Sequence, residues 1–435
     1  RKLNLKNNMP NYPQFIEEKI GTTQLFLTPL NRNAATIQLS FDVGSFLENK
    51  NQAGISHFIE HLIFNGSKKY PSAQKVAQII EKFGGKINGF TSENETTFWI
   101  YVPKSALHKT TNLLFDIVFN PLALFAGKEI EKEKKIILEE ISLGKDNPDR
   151  HIFDLAMKTL NPKHKISTPV IGSKKTVKNI KKDDLINWWK KHYLSSNLKI
   201  SIAGYIPKKI KKEIIKYLPR EKAIINNDWP KYQSPKTLRI KNFYKKIDQV
   251  KLMMIFENLA KLTPKTLIMA ELVEYILGGG MSSILFEELR TKKGLCYSVW
   301  AKAEQTIDLS LFTISGGFSA KKIKEATQKI IEVIQKIKDD GFTTKQFEEA
   351  KQSYLGSLEM KCDDTADLAF WPIFDKRNFN RIISFEENIK ILEGISQEEL
   401  NQFACNLFKK ESLAFTTLGP YKNEEKIKEI LNKLN

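Results

Sequence analysis

Two patterns of apolar residues take turns along this chain. Alternating patterns of apolar and polar positions predict half-buried strands at Ala35 to Phe41, Thr96 to Val102 and Leu198 to Ala203. The same pattern returns at Val250 to Phe256, Tyr297 to Ala303 and Leu309 to Ser315. Between strands the spacing lengthens to that of a helix. Ile323, Ala326, Ile330, Ile334 and Ile337 form one stripe at three- and four-residue steps. Another helix opens after Gly341, where Thr343 and Gln346 stand at capping-box spacing. In the first half, helices open after Ser105-Ala106 and near Lys128.

The halves repeat one design. Phe58–Gly66 aligns with Leu272–Gly280, and Ser105 with Ser319, both at an offset of 214 residues. Each half reads as strands, helix, strands, helix, helix. The expected fold is α+β, with two homologous domains, each a mainly antiparallel sheet covered by helices. Turn-rich Asn226-Asn-Asp-Trp-Pro230 and Ser234-Pro235 place the join. The expected domains are 1–225 and 240–435, with 226–239 as the linker.

Composition narrows the classes. A length of 435 residues suits two domains of about 200 each. With 41% hydrophobic and 27% charged residues, a disordered or low-complexity chain is excluded. The longest apolar stretch, Leu113 to Ala126, is broken by Asp116, Asn120 and Pro121, so no membrane span is expected. Three cysteines, Cys296, Cys362 and Cys405, make neither a disulfide framework nor a CxxC metal site. The net charge of +19 invites a nucleic-acid reading, but only eight of the 69 basic residues are Arg. Lysines spread along the whole chain fit a solvated surface, and no nucleic-acid partner is expected. The residues present show no signal peptide, and starting at Arg1 leaves room for a removed leader. A soluble protein of cytoplasm or periplasm is expected.

All six histidines, His57, His61, His108, His151, His164 and His192, fall in the first half. The segment Gly54-Ile-Ser-His57-Phe-Ile-Glu60-His61-Leu-Ile-Phe64 has the length and apolar content of a buried helix. On a helix, His57, Glu60 and His61 project from one face. Two imidazoles one turn apart can bind a Zn²⁺ ion, and a carboxylate beside them can reach a water on that ion. This is the H-x-x-E-H pattern. A zinc hydrolase needs a third protein ligand and an open position. Glu133-Lys-Lys-Ile-Ile-Leu-Glu139-Glu140-Ile141 offers candidates. Glu133 and Glu140, seven apart, share a face, with Ile136 and Ile137 flanking the same stripe. Glu139 points about 100° away, toward solvent. Glu140 is therefore the expected ligand, and Glu133 the neighbour that orients a ligand or water.

The helix with His57, Glu60 and His61 resembles that of the pitrilysin family of zinc peptidases, which includes insulin-degrading enzyme and mitochondrial processing peptidase. The family's third zinc ligand is the last Glu of a motif like Glu133-x6-Glu140, which supports Glu140 over Glu139. Gly44-Ser-x-x-Glu48 is similar to the family's entry segment. Asn88-Gly89-Phe90-Thr91, with Ser92 and then Glu95-Thr96, is similar to its substrate strand. Pro162-x-His164 to Gly172 and the strand ending at Gly204 also match. In the second half, Leu277-Gly-Gly-Gly280-Met-Ser-Ser, Leu289-Arg290, Gly294-Leu295 and Tyr297 are similar to the C-terminal signature. Three departures stand out. Ile284 stands where members often have Arg, Gly89 where Ala is usual, and the long glycine-rich loop of the processing peptidase's non-catalytic subunit is absent.

The resemblance implies a zinc-dependent endopeptidase with one Zn²⁺ per chain. It would cleave unfolded peptides or short protein segments inside a closed clamshell chamber, of which one chain forms half. Glu60 would activate the water, and Arg290 and Tyr297 would reach the zinc site from the opposite domain. An Arg offers a fork of donors to peptide carbonyls, and a Tyr hydroxyl can stabilise an oxyanion. Substrate would add as a strand along Asn88 to Ser92. The chain carries both halves of the machinery, so a homodimer is expected, with a heterodimer of related chains as the variant. The competing reading is a non-catalytic core subunit of a larger complex, against which the full ligand set argues. At the repeat offset, His57, Glu60 and His61 correspond to Glu271, Glu274 and Tyr275, so the second half has no imidazole for zinc.

Overall fold

The structure, a computed structural model, describes residues 12–123, 126–219, 227–258, 260–306 and 309–434. The first half runs through strands β1 (Ile16–Ile20), β2 (Thr23–Pro29) and β3 (Ala34–Phe41), then helices α1 (Ile55–Phe64) and α2 (Ala73–Glu81). Strands β4 (Lys86–Thr91) and β5 (Thr96–Pro103) follow, then helices α3 (Leu107–Phe119), α4 (Gly127–Asp146) and α5 (Pro148–Leu160). Helices α6 (Lys174–Asn179) and α7 (Lys182–His192), strand β6 (Leu198–Gly204) and helix α8 (Ile210–Tyr217) close it. The second half has β7 (Arg239–Tyr244), β8 (Val250–Asn258), α9 (Pro264–Leu277), β9 (Cys296–Thr306) and β10 (Leu309–Phe318). After them come α10 (Ile323–Asp340), α11 (Thr344–Lys361), α12 (Thr365–Phe379), α13 (Phe385–Glu393), α14 (Gln397–Leu407), β11 (Leu413–Gly419) and α15 (Glu424–Leu431).

All six strands expected from alternation are present, and the capping box at Thr343 and Gln346 forms, with its two backbone-to-side-chain bonds at 2.9 and 3.2 Å. The sheets run β1-β2-β6-β3-β5-β4 and β7-β11-β8-β10-β9. Counted from β2 and from β7, the order is the same. In each sheet one pair is parallel, β2 with β6 and β7 with β11, and the rest are antiparallel. The repeat seen in the sequence is thus a repeat of topology.

The chain divides into two compact units. One holds the described residues up to Ile141, then Pro169–Trp229 and Leu358–Asn388. The other holds Ser142–Thr168, Pro230–Ser357 and the chain from Ile389 onward. Each unit therefore takes a helix from the other half of the sequence. In the first unit α12 lies on β2, β3 and β6, and in the second α5 lies on β8 and β11. The start of the expected linker, Asn226, and the residue before it, Ile225, lie outside the described residues.

The borrowed helix explains the burial of the first sheet. Ile37, Leu39 and Phe41 of β3 face the core built with Phe58, Leu62, Leu113 and Phe115. The alternate residues Thr36, Gln38 and Ser40 would suit a solvated face, yet all are fully buried. Helix α12 covers them, with Thr365 Oγ1 2.9 Å from Thr36 Oγ1. At the end of that row, Arg377 bridges Asp42 at 3.0 Å and Glu95 at 2.7 Å and donates to Ser40 Oγ at 3.1 Å, while Lys199 pairs with Asp42. Burial alone would raise the Asp42 pKa, but Lys199 and Arg377 outweigh it and hold it below the usual carboxylate range. In the second unit the matching carboxylate is Glu257 of β8, which is fully buried. Arg239 reaches it at 2.7 Å, and Tyr232 and Ser234 donate to it.

Candidate metal centre

Helix α1 is held at its start by backbone geometry and one carboxylate. Gly54, the residue before the helix, has φ +96°, a left-handed conformation that glycine adopts at little cost. The buried Glu48 side chain accepts from Gly54 N at 2.7 Å and Ser56 N at 2.9 Å. A negative group at a helix N-terminus satisfies orphan amides and meets the positive end of the dipole. Gly44, before it, lies so close to Ser92 that a Cβ would meet the Ser92 carbonyl at 2.4 Å. These contacts fix α1 against the loop after β4.

Phe58, Ile59, Leu62 and Ile63 of α1 enter the core, which leaves His57 and His61 half-buried on the other side. Their ring centroids are 4.6 Å apart. Glu140 of α4 comes to both, its Oε2 3.7 Å from His57 Nε2 and 3.6 Å from His61 Nε2. Ligand atoms of these three residues all lie within 4.8 Å of one another. A tetrahedral Zn²⁺ about 2.1 Å from each donor would hold them about 3.4 Å apart, so the donor set fits that ion with small adjustments. Glu139 is exposed, on the side the helical rotation gives it. Glu133 is buried, its Oε2 3.4 Å from His61 Nδ1, the ring nitrogen turned away from Glu140. Burial by itself would lower the His61 pKa, but Glu133 and Glu140 outweigh it and hold it up to about 9. The cluster is thus arranged around positive charge. The flanking stripe differs from expectation at one position. Ile137 is buried, but Ile136 is 42% exposed, because it lies beyond Glu140 on the rotation away from the core.

Glu60 sits between the imidazoles in sequence and is buried. Thr91 Oγ1 donates to its Oε2 at 2.6 Å. Burial raises the Glu60 pKa, against opposing pulls from Thr91 and His61. Thr91 ends β4, which occupies one end of the sheet order. Asn88, Gly89 and Phe90 belong to this strand, whereas Ser92 lies past it, in a turn where its N–H donates to the Glu95 carbonyl at 2.8 Å. A Cβ on Gly89 would come to 2.9 Å from the Thr97 carbonyl and 3.0 Å from the Phe64 ring, so the glycine lets α1 pack close to β4.

Arg290 and Tyr297 lie together in the second unit. The Arg290 guanidinium is 4.8 Å from the Tyr297 ring and 4.7 Å from the Phe286 ring. The Tyr297 ring is 77% exposed, an unusual state for a strand aromatic. Arg290 closes a π-helical stretch, Phe286–Thr291, Gly294 turns with φ +57°, and β9 follows. Where α9 repeats α1, Glu274 accepts from Ala303 N at 2.8 Å. Among the described residues, His57, His61 and Glu140 form the one group of three or more side chains that could hold a metal ion.

Sequence reasoning left two contributors unread. Glu48 appeared only as part of a segment, and its cap on α1 follows from six residues of spacing plus a loop that turns back. Thr91 was read as substrate strand, and its bond to Glu60 needs the packing of β4 on α1.

Comparisons with known proteins agree with one another. Residues 27–174 match "Insulinase (Peptidase family M16)" and residues 179–354 match "Peptidase M16 inactive domain". A Bacillus subtilis protein, "Uncharacterized zinc protease YmxG", is 28% identical over 383 residues, 87% of this chain and 91% of that one. An "Uncharacterized zinc protease" of Rickettsia bellii is 28% identical, covering 92% and 96% of the two chains. Among solved structures, a protease from Helicobacter pylori superposes with a TM-score of 0.86 at 20% identity, over 94% of this chain and all of that one. The periplasmic protease PqqL of Escherichia coli matches with a TM-score of 0.76 at 18% identity, 98% of this chain covering 50% of it.

Proposed function

The chain belongs to peptidase family M16, and from that premise we propose that it is a zinc-dependent endopeptidase that cleaves unfolded peptides or short protein segments. His57, His61 and Glu140 would hold one Zn²⁺. Bound there, the ion supplies Lewis-acid chemistry, polarising the scissile carbonyl and acidifying the attacking water. Glu60 takes the proton of that water and passes it to the leaving amine. Its burial supports this, because a raised carboxyl pKa lies closer to neutral pH, where one group can both accept and return a proton. Glu133 fixes the His61 ring through Nδ1, so that Nε2 is left for the metal.

The substrate lies extended against β4, paired through its backbone with Asn88 to Thr91, which gives affinity with little sequence choice. Arg290 and Tyr297 serve the substrate carbonyl and the oxyanion it becomes. The working form is a homodimer whose four domains enclose the reaction. The observation that carries this reading is the convergence of two imidazoles and one carboxylate, with the Thr91-bound Glu60 adjacent in sequence.

The test is zinc stoichiometry and hydrolysis of a mixed peptide library by the purified chain. One zinc per chain with cleavage of extended peptides is expected. A chain that binds zinc and cleaves no peptide defeats the enzyme reading, and one that cleaves with His57 and His61 both replaced defeats the metal reading.

A further inference from the structure

We propose that Thr91 is a positioning residue that couples the docking of a peptide on β4 to the orientation of Glu60. The inference rests on the peptidase reading above. Thr91 is the last residue of β4, and its backbone pairs with Thr96 of β5 on one side only. Among the described residues no further strand lies beyond β4, so the other edge is where an extended peptide would add. The same residue's hydroxyl donates to Glu60 Oε2 at 2.6 Å. One residue thus belongs by its backbone to the substrate edge and by its side chain to the proton-transfer group.

The two partners of this bond differ in firmness. Helix α1 is locked by the Glu48 cap and by five apolar side chains in the core, Ile55, Phe58, Ile59, Leu62 and Ile63. Strand β4 has half-exposed residues, a single neighbouring strand, and glycine at position 89. Gly89 lets the Phe64 ring of α1 lie against the strand, a second tie between the same two elements. A peptide paired along Asn88 to Thr91 would order the strand on its free edge and with it the Thr91 hydroxyl. Oε2 of Glu60 would then be engaged and Oε1 left for the proton. Binding energy from residues remote from the scissile bond would appear in turnover, which is how extended substrates raise kcat.

The experiment uses the full chain with peptides from four to about sixteen residues around one cleavable bond. Wild type, Thr91→Val and Thr91→Ser are compared for zinc content, for kcat and KM, and for peptide affinity of the zinc-free chain. For wild type, kcat is expected to rise with peptide length. In Thr91→Val, kcat on long peptides should fall by about tenfold to a hundredfold, the range for a lost hydrogen bond to a charged group. Zinc content, KM and zinc-free affinity should stay, and the rise of kcat with length should flatten. Thr91→Ser, which keeps the hydroxyl, should restore it. Equal losses on short and long peptides, or Thr91→Val turnover equal to wild type, would overturn the coupling while leaving the peptidase reading intact. A wild-type chain that holds zinc but cleaves no peptide overturns both.

Discussion

Helices α1 and α9 occupy the same place in two copies of one topology, and they have diverged in different ways on their two faces. Toward the core both are apolar, with Phe58, Ile59, Leu62 and Ile63 in one and Leu272, Val273, Ile276 and Leu277 in the other. On the remaining face α1 presents His57 and His61 to Glu140, while α9 has Glu271, Glu274 and Tyr275. Glu274 serves its own unit by accepting an N–H of β9. An ion-paired carboxylate stands at the end of the matching strand in both copies, Asp42 after β3 and Glu257 in β8, with different partners. Packing therefore constrains the core face of the repeat, and the other face is free to take on or shed chemistry.

The largest effects should come from the cluster of two imidazoles and a carboxylate in the first half. His57→Ala, His61→Ala or Glu140→Gln should each drop zinc and bring peptide cleavage to background, because three protein ligands are needed. Glu271→Gln should leave zinc stoichiometry as it is, as measured by metal analysis of the same preparations. If Glu139→Gln empties the site while Glu140→Gln does not, the ligand assignment is wrong. Glu60→Gln should keep zinc and peptide binding but slow turnover by about 10² to 10⁴, from lost acid–base work. Turnover at the wild-type rate would remove Glu60 from that role. Tyr297→Phe asks whether the second half contributes chemistry at all. Its kcat should fall by about a hundredfold with zinc unchanged, as for loss of one oxyanion donor. Full activity would reduce the second half to structure.

The smallest effect concerns the borrowed helix α12. Burial lifts Asp375 on this helix to a pKa of about 7, against donors from Ile383 N and Trp371 Nε1. A carboxyl whose folded pKa is raised contributes stability that is complete below its unfolded pKa and lost as pH rises through the folded one. Between about pH 4 and 7 the chain should therefore lose stability at this position, by about 4 kcal/mol at most, levelling off above pH 7. Asp375→Asn should flatten that slope in denaturant titrations. An unchanged slope would show that Asp375 is ionised without penalty.

How much of this was legible depended on whether the information is local. Strand alternation, the repeat offset and the His57, Glu60, His61 spacing are properties of short stretches, and they are in place. The choice of Glu140 over Glu139 needed only helical rotation, and Glu139 is the exposed one of the two. Ile136 was expected to flank a buried stripe because the same rotation does not say where the core ends. The exchange of α5 and α12 had no local signal. The polar residues Thr36, Gln38 and Ser40 read as a wet face, and only a helix more than 300 residues away in the chain makes them dry. The bond from Thr91 to Glu60 was hidden for the same reason, since it joins a strand end to a helix that precedes it by a loop, another helix and a turn.

The long reach of α12 also sets a timetable for synthesis. Asp42 and Arg377 are 335 positions apart, so Asp42 and Ser40 leave the ribosome long before their arginine exists. At the usual elongation rate of about 5–20 residues per second, that interval is on the order of tens of seconds. During it, the half that carries His57, His61 and Glu140 stands with its polar sheet face uncovered and Asp42 without Arg377. That half is translated first but completed only when the chain has reached Asn388, and a nascent chain cut short before α12 is left with a sheet that has lost one of its two covers.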